Sequence, residues 1–148
     1  MPSADVHALV SETCVIIPAY QAESTIGPLV AAVRRQGFRV IVVDDASGDQ
    51  TGAIARQAGA EVLVRPVNGG KGTALRQGFK EALRGGSSWF LNIDADGQHL
   101  ADDIPIFLRE AAAGTAGLIT GNRMGNPHGM PPLRVFTNFL MSRLLSRI

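Results

Sequence analysis

The amino-acid sequence predicts an α/β fold, a mostly parallel sheet with helices on both faces. Short segments rich in β-branched residues alternate with segments of helical periodicity, and glycines stand where several helical segments end. The β-branched segments are apolar almost throughout rather than alternating with polar residues. Strands without a polar face are buried on both sides, which requires helices above and below the sheet.

The first predicted unit is a strand over 13–17 followed by a helix. Ile26, Leu29, Val30 and Val33 recur at helical spacing until Gly37 ends the pattern. The remaining predicted elements are strand 39–43, helix 51–58, strand 61–64, helix 73–83, strand 89–93, helix 104–113 and strand 118–120.

Composition narrows the class of protein. A chain of 148 residues fits one domain of ordinary size, and a formal net charge of +1 disfavours a nucleic-acid partner. Cys14 is the single cysteine, so we expect a reducing, cytoplasmic environment. The first twelve residues show no secretory signal, and no apolar run is long enough to span a membrane. We expect an N-terminal extension over 1–12, an α/β domain over 13–124, and a separate segment over 125–148 that begins with a stretch rich in Gly and Pro.

Ligands in open parallel sheets bind beyond the carboxyl ends of the strands. Asp94 and Asp96 stand two apart after one predicted strand, so strand alternation would turn both to one side. Adjacent carboxylates repel unless a cation or shared proton relieves them, and hard oxygen ligands favour Mg²⁺ or Mn²⁺ together with substrate phosphates. The alternative is that either residue only forms a turn. Asp102 or Asp103 is explained as the N-cap of the helix predicted over 104–113. His99 and His128 have no spacing that indicates zinc.

Two further loops hold candidate residues. Asp44 or Asp45 could accept hydrogen bonds from a base or ribose, whereas Asp49 is better explained as a helix cap or Asx-turn residue. The segment 68–72 is a glycine-rich bend containing Lys71, which suits a diphosphate, although it lacks both the Walker A and the dinucleotide-binding spacing. The alternative interpretation of this segment is a tight turn with a solvated lysine. Arg123 either reaches phosphate oxygens or is an ordinary surface residue.

Taken together, these segments resemble the family 2 glycosyltransferases, most closely the branch of dolichyl-phosphate mannose synthase and bacterial polyprenyl-phosphate sugar transferases. The matching segments occur in family order and are 15–20, 42–51, 70–75, 94–99 and 121–123. The resemblance implies a GT-A fold, a nucleoside-diphosphate sugar as substrate and Mg²⁺ or Mn²⁺ as cofactor. By this resemblance the base and ribose pocket comprises Pro18, Tyr20, Val43 and Asp45, with Lys71 near the nucleotide. The resemblance further implies a diphosphate site formed by Asp94, Ala95, Asp96 and Gln98, in which Asp94, Asp96 and Gln98 would hold the metal. It also implies that Asp96 and Arg123 are the catalytic residues.

Two departures from the family pattern affect these expectations. The family often has an acidic residue two places after the tyrosine, where this chain has Ala22, so Glu23 is not assigned a role. Family members also continue past position 148 with acceptor-binding residues. The resemblance therefore implies that 13–124 is a nucleotide-sugar-binding domain and that 125–148 is the start of an acceptor-side segment in a truncated chain. A phosphate acceptor is already ionised and needs no catalytic base.

The expected reaction is inverting transfer of a sugar to an acceptor such as a polyprenyl phosphate, at the inner face of the membrane with peripheral membrane contact. The alternatives are a catalytically incomplete nucleotide-sugar-binding module, half of a split transferase completed by a partner chain or oligomer, and a nucleotidyltransferase on a related sheet.

Overall fold

The computed structural model describes residues 6–97, 101–114 and 117–121, with side chains from residue 8 onward. The chain divides into two compact units, residues 1–117 and residues 118–148. In the second unit, residues 118–121 form neither helix nor strand, and Leu118 is 82% exposed. The predicted strand over 118–120 is therefore wrong, since two apolar residues and a threonine are too short a run for periodicity to identify its conformation. The boundaries expected at 12/13 and 124/125 stay predictions.

Helices and strands alternate through the first unit, which confirms the predicted α/β order. The elements are α1 (Val6–Glu12), β1 (Thr13–Ala19), α2 (Ile26–Arg35), β2 (Arg39–Asp44), α3 (Thr51–Gln57), β3 (Glu61–Val64), α4 (Lys71–Arg84), β4 (Trp89–Asn92), a 3₁₀ turn (Ala101–Asp103) and α5 (Ile104–Ala112). None of the helices in these described ranges is both long and apolar enough to cross a membrane.

The four strands form one parallel sheet in the order β3-β2-β1-β4. From β1 the chain moves outward on one side through β2 to β3, and then returns across the sheet to place β4 on the other side of β1. Parallel crossovers are right-handed, so the reversal of direction puts α4 on the face opposite to α2 and α3. The strand order thus confirms helices on both faces.

The core lies on both sides of β1, whose residues are all buried. On one face Cys14 and Ile16 pack with Ile41 and Val43 of β2 against Ala74 and Ala82 of α4. Each fully buried side chain of the size of Ile16 stabilises the fold by roughly 1.5 to 3 kcal/mol. Alternate strand residues point to the other face, where α2 and α3 contact β2.

Pro18 marks a difference between prediction and structure. The predicted strand ends at residue 17, yet Pro18 lies within β1 and pairs with Val43 of β2. The backbone carbonyl of Ile16 points toward β4 and accepts a hydrogen bond from the amide of Ile93. The backbone of Pro18, two residues later, is turned to the same neighbouring strand. β4 has ended there, so the missing N–H of Pro18 removes no hydrogen bond from the ladder.

The start of α5 is the second difference. We expected Asp102 or Asp103 to cap this helix, and Asp103 does immediately precede it, but its side chain makes no capping hydrogen bond. Asp103 has helical backbone angles because it continues from the 3₁₀ turn. A capping side chain needs an extended backbone to reach the first free amides.

Candidate active site

A cavity of about 470 Å³ opens beyond the carboxyl end of β1. The chain reverses direction between β1 and β4, and at such a switch point the loops after neighbouring strands separate and leave a crevice. The residues that line it are Pro18, Ala19, Tyr20, Gln21, Ala22, Ser24, Thr25, Asp45, Lys71, Ala74, Asp94, Ala95 and Asp96. The cavity thus brings together seven of the residues expected from the sequence: Pro18, Tyr20, Asp45, Lys71, Asp94, Ala95 and Asp96.

The paired carboxylates lie in a turn beyond β4. The strand ends at Asn92, and residues 95 and 96 form the turn. The strand alternation used to align Asp94 and Asp96 is therefore not the reason that they converge. Gly97 with a φ of 73° closes the turn, and both carboxylates line the cavity.

Lys71 faces the first of these carboxylates. Its ammonium donates to Asp94 Oδ2 at 2.7 Å and lies 2.6 Å from Oδ1. Lys71 is the first residue of α4, so the glycine-rich segment before it decides where the ammonium sits. The structure thereby favours a paired lysine over the solvated lysine that the sequence left open.

The other end of the glycine-rich segment is held by Asp45, which is buried. Asp45 forms an ion pair with Arg65 and accepts hydrogen bonds from the amides of Gly69 and Gly70. The shortest of these amide contacts is 2.7 Å, from Gly70 to Oδ2. Asp45 therefore shapes the cavity by fixing the loop that leads to Lys71.

The loops after β1 and β2 are joined by side-chain hydrogen bonds. The amide of Gln21 donates to Ser47 Oγ at 3.0 Å, and the amide of Ala22 donates to Thr51 Oγ1 at 2.8 Å. Gln21 and Ala46 have positive φ values of 50° and 62°. Non-glycine residues adopt this region only when the surroundings hold them there, so this side of the cavity is a constrained structure.

Asp49 and Glu23 extend the same connection. Asp49 Oδ1 accepts from the amide of Thr51, two residues further on, which confirms the expected Asx turn. Its Oδ2 accepts from the amide of Glu23 at 3.3 Å, and Glu23 in turn accepts from the amide of Gln50. The hydrogen bond from the Thr51 hydroxyl is the largest cause that lowers the pKa of Asp49. Asp49 and Glu23 therefore stabilise the conformation of the loops after β1 and β2.

Of the three other expected site residues, the structure describes only Val43. The side chain of Val43 is fully buried and packs in the core beneath α4, so it does not line the cavity. Gln98 and Arg123 lie outside the described residues. Their assigned roles stay predictions.

Thr25 and Arg65 are site residues to which the sequence analysis gave no role. The Thr25 hydroxyl donates to the carbonyl of Ala95 at 2.5 Å and so holds the acidic turn against the start of α2. Arg65 directly follows β3, as Asp45 follows β2, and β2 pairs with β3 in parallel. The sequence alone could not assign Arg65, because its place beside Asp45 depends on the pairing of β2 with β3.

The oxygen atoms at the acidic turn fit a hard divalent cation. Asp94 and Asp96 supply carboxylates, and the ammonium of Lys71 shows that Asp94 already takes a cation on the cavity side. Within 6–97, 101–114 and 117–121, no three His, Cys, Asp or Glu side chains come together as a metal-binding group. Two carboxylates with open positions suit Mg²⁺ or Mn²⁺, which keep waters and substrate phosphates as further ligands.

Comparison with solved structures identifies the class of fold. Glucosyl-3-phosphoglycerate synthase from Mycobacterium tuberculosis, crystallised with Mn²⁺, UDP-glucose and phosphoglyceric acid, superposes with a TM-score of 0.54 at 26% identity. The match covers 70% of this chain and 40% of that one. The sheet, the helices on both faces and the cavity define a GT-A type α/β fold. The model of Glycosyl transferase family 2 matches residues 14–145, and the chain belongs to this family.

Two relatives agree with the branch expected from the sequence. Undecaprenyl-phosphate mannosyltransferase from Micrococcus luteus is 40% identical over 117 residues, which are 73% of this chain and 46% of the relative. Polyprenol monophosphomannose synthase from Mycolicibacterium smegmatis is 34% identical over 119 residues, 75% of this chain and 44% of the relative. The chain thus spans a little under half the length of these relatives.

Proposed function

We propose that this chain carries the sugar-nucleotide and metal site of a glycosyltransferase that moves a sugar from a nucleoside diphosphate to a phosphate acceptor on a lipid. The observation that carries the proposal is the convergence of Asp94, Asp96 and Lys71 on one cavity at the switch point of the sheet. Two carboxylates and one ammonium at a crevice match the charges of a metal-bound diphosphate.

Each part of the substrate has a proposed partner. Pro18, Tyr20 and Asp45 border the region for base and ribose, with Val43 supporting it from the core. Lys71 approaches the diphosphate, and Arg123 binds the phosphates next to the sugar. Asp45 contributes chiefly by holding the glycine-rich loop, since Arg65 and the loop amides already occupy its carboxylate.

Asp94, Asp96 and Gln98 would hold Mg²⁺ or Mn²⁺, and Ala95 positions the two carboxylates through the turn. A bound divalent ion stabilises the negative charge that develops on the departing nucleoside diphosphate. The chain's own residues orient the diphosphate and place the anomeric carbon toward the acceptor. Direct attack by the acceptor oxygen would invert the configuration at that carbon.

A lipid phosphate is the proposed acceptor class, because two relatives are an undecaprenyl-phosphate mannosyltransferase and a polyprenol monophosphomannose synthase. A phosphate oxygen is ionised near neutral pH, so attack requires no proton removal by a protein base. Such an acceptor would place the reaction at a membrane, and we propose the cytoplasmic face, with peripheral contact.

A thermal-shift series tests the proposal. UDP-, GDP- and dTDP-sugars are added with and without Mn²⁺ to the wild-type chain, to D96A and to the control D102N. Ligand that binds only the folded state raises Tm. We expect one sugar nucleotide to raise Tm in a Mn²⁺-dependent manner in wild type and D102N, and not in D96A. Unchanged metal dependence in D96A would contradict the proposed site.

Transfer assays separate the proposed enzyme from a binding module. Sugar release or transfer to a polyprenyl phosphate by the chain alone supports the transferase. Metal-dependent binding without turnover supports the incomplete module or the half of a split enzyme, to which a partner chain would then restore activity.

A further inference from the structure

The ammonium of Lys71 occupies the cavity-facing edge of the Asp94 carboxylate. It lies 2.6 Å from Oδ1 and 2.7 Å from Oδ2, so one cation bridges both oxygens. A divalent metal that binds a carboxylate through these oxygens would take the same edge. The ammonium and a metal ion therefore compete for one position on Asp94.

The place of Lys71 in the fold makes this ion pair separable. Lys71 is the first residue of α4, where the helix dipole presents its positive end and disfavours a cation. Its side chain is 54% exposed, against 29% for Asp94, so water can solvate the ammonium once it leaves. An exposed pair of this kind contributes little stability. Exchange therefore requires no rearrangement of the core.

We propose that Lys71 is an internal placeholder for the divalent ion: its ammonium neutralises Asp94 until the metal binds, and then moves to the incoming diphosphate. The inference rests on the proposed metal-dependent use of the cavity and adds a role for Lys71 before the substrate arrives. Asp94 then has a cation against its carboxylate at each stage, first the ammonium and afterwards the metal ion. The acidic turn is thus held in its binding geometry without metal.

The exchange couples metal binding to nucleotide binding. Metal alone must displace the ammonium and leaves it without a phosphate to bind, so the metal binds weakly. A nucleoside diphosphate accepts the displaced ammonium and strengthens metal binding. Linkage requires that metal strengthens nucleotide binding by the same factor.

Mn²⁺ titration followed by electron paramagnetic resonance of the free ion tests the exchange without any turnover. The chains are wild type, K71M, K71R and the control K80M, each titrated alone and with UDP or GDP. Lys80 lies on α4 about two and a half turns from Lys71, and it provides the same substitution away from the cavity.

We expect K71M to bind Mn²⁺ alone roughly three to ten times more tightly than wild type, because the competing cation is gone. Nucleotide should then strengthen Mn²⁺ binding less in K71M than in wild type. K71R keeps a cation at this position and should bind Mn²⁺ alone no more tightly than wild type. K80M should behave as wild type. It leaves the cavity intact, so its Mn²⁺ binding with and without nucleotide should be unchanged.

Two other outcomes separate this inference from the proposed function. If K71M binds Mn²⁺ alone no more tightly than wild type, while wild type still binds Mn²⁺ with nucleotide, the placeholder role is wrong and the metal site stands. If no chain binds Mn²⁺ with either nucleotide, the proposed metal-dependent function is wrong, and the placeholder role is excluded with it.

Discussion

Arg65 forms an ion pair with Asp45 beneath the glycine-rich loop, and this contact joins the ends of β2 and β3 to the start of α4. Both side chains are largely buried, at 15% and 5% exposure. Asp45 also accepts from the amides of Gly69 and Gly70. One carboxylate thus organises three segments around the cavity, and its loss would affect both stability and ligand binding.

Substituting Arg65 by Met should lower the free energy of unfolding by about 2 to 4 kcal/mol. Removing one partner leaves a buried carboxylate whose charge the two loop amides only partly stabilise. Urea unfolding followed by circular dichroism measures the change. R84M is the matched control, because Arg84 is 75% exposed in its pair with Glu81 and should cost less than about 0.5 kcal/mol. Equal losses in the two variants would show that the Asp45 pair does not stabilise the loop.

Gly78 of α4 permits the helix to approach the sheet closely. A Cβ at this position would lie 2.5 Å from Ile16 Cγ2 and 3.2 Å from Val43 Cγ2. Gly78→Ala should therefore lower the free energy of unfolding by about 1 to 3 kcal/mol through overpacking. Gly72→Ala, on the same helix with open space around the new Cβ, should be neutral or raise it by up to about 1 kcal/mol. The urea midpoints of the two variants measure these changes. Equal midpoints would show that Gly78 is not required for the close approach of α4 to the sheet.

Thr25 positions the acidic turn through its hydrogen bond to the carbonyl of Ala95. Thr25→Val keeps the shape and removes the hydroxyl, so we expect Mn²⁺-dependent nucleotide affinity to fall roughly three- to tenfold, equivalent to one hydrogen bond of about 1 kcal/mol. Thr25→Ser keeps the hydroxyl and should restore most of the affinity. Isothermal titration calorimetry of the nucleotide with Mn²⁺ gives both values. If the valine variant binds as tightly as wild type, the turn does not depend on Thr25.

The sheet could be predicted from sequence because each strand is a short apolar run and each following helix has its own periodicity. The strand order was not predicted, since it depends on the crossover from β3 back to β4. The predicted end of β1 was too early because the strand continues through Pro18. Proline lacks an N–H, but β4 has already ended at this position, so no hydrogen bond of the sheet is lost.

The cavity residues could be predicted because loops after parallel strands meet at one edge of the sheet. What each residue contacts depends on pairing between distant segments. The buried contact between Arg65 and Asp45 follows from the register of β2 with β3, and the contact between Lys71 and Asp94 from the return of α4 to β4. Neither pairing has a signal within its own segment of sequence.

Cys14 gives a prediction for the dependence of stability on pH. Burial in the centre of the sheet raises the pKa of its thiol from 9.0 to about 11, against a smaller lowering by Arg39. Below pH 9 the thiol is protonated in both the folded and the unfolded chain, so Cys14 contributes no pH dependence there. Between pH 9 and 11 the unfolded chain loses this proton while the folded chain keeps it. Folding then requires proton uptake, and the free energy of unfolding falls as the pH rises.

The loss attributable to Cys14 should reach about 1.4 kcal/mol per pH unit and roughly 2 to 3 kcal/mol in all by pH 11. Urea unfolding at several pH values from 8 to 11, in wild type and C14A, isolates it. Other groups titrate in both chains, and the cavity left by the substitution costs the same free energy at every pH. The destabilisation caused by C14A should therefore shrink steadily above pH 9. A constant difference between the two chains across this range would mean that the folded thiol titrates as readily as the unfolded one, and that burial at the centre of β1 does not suppress its ionisation.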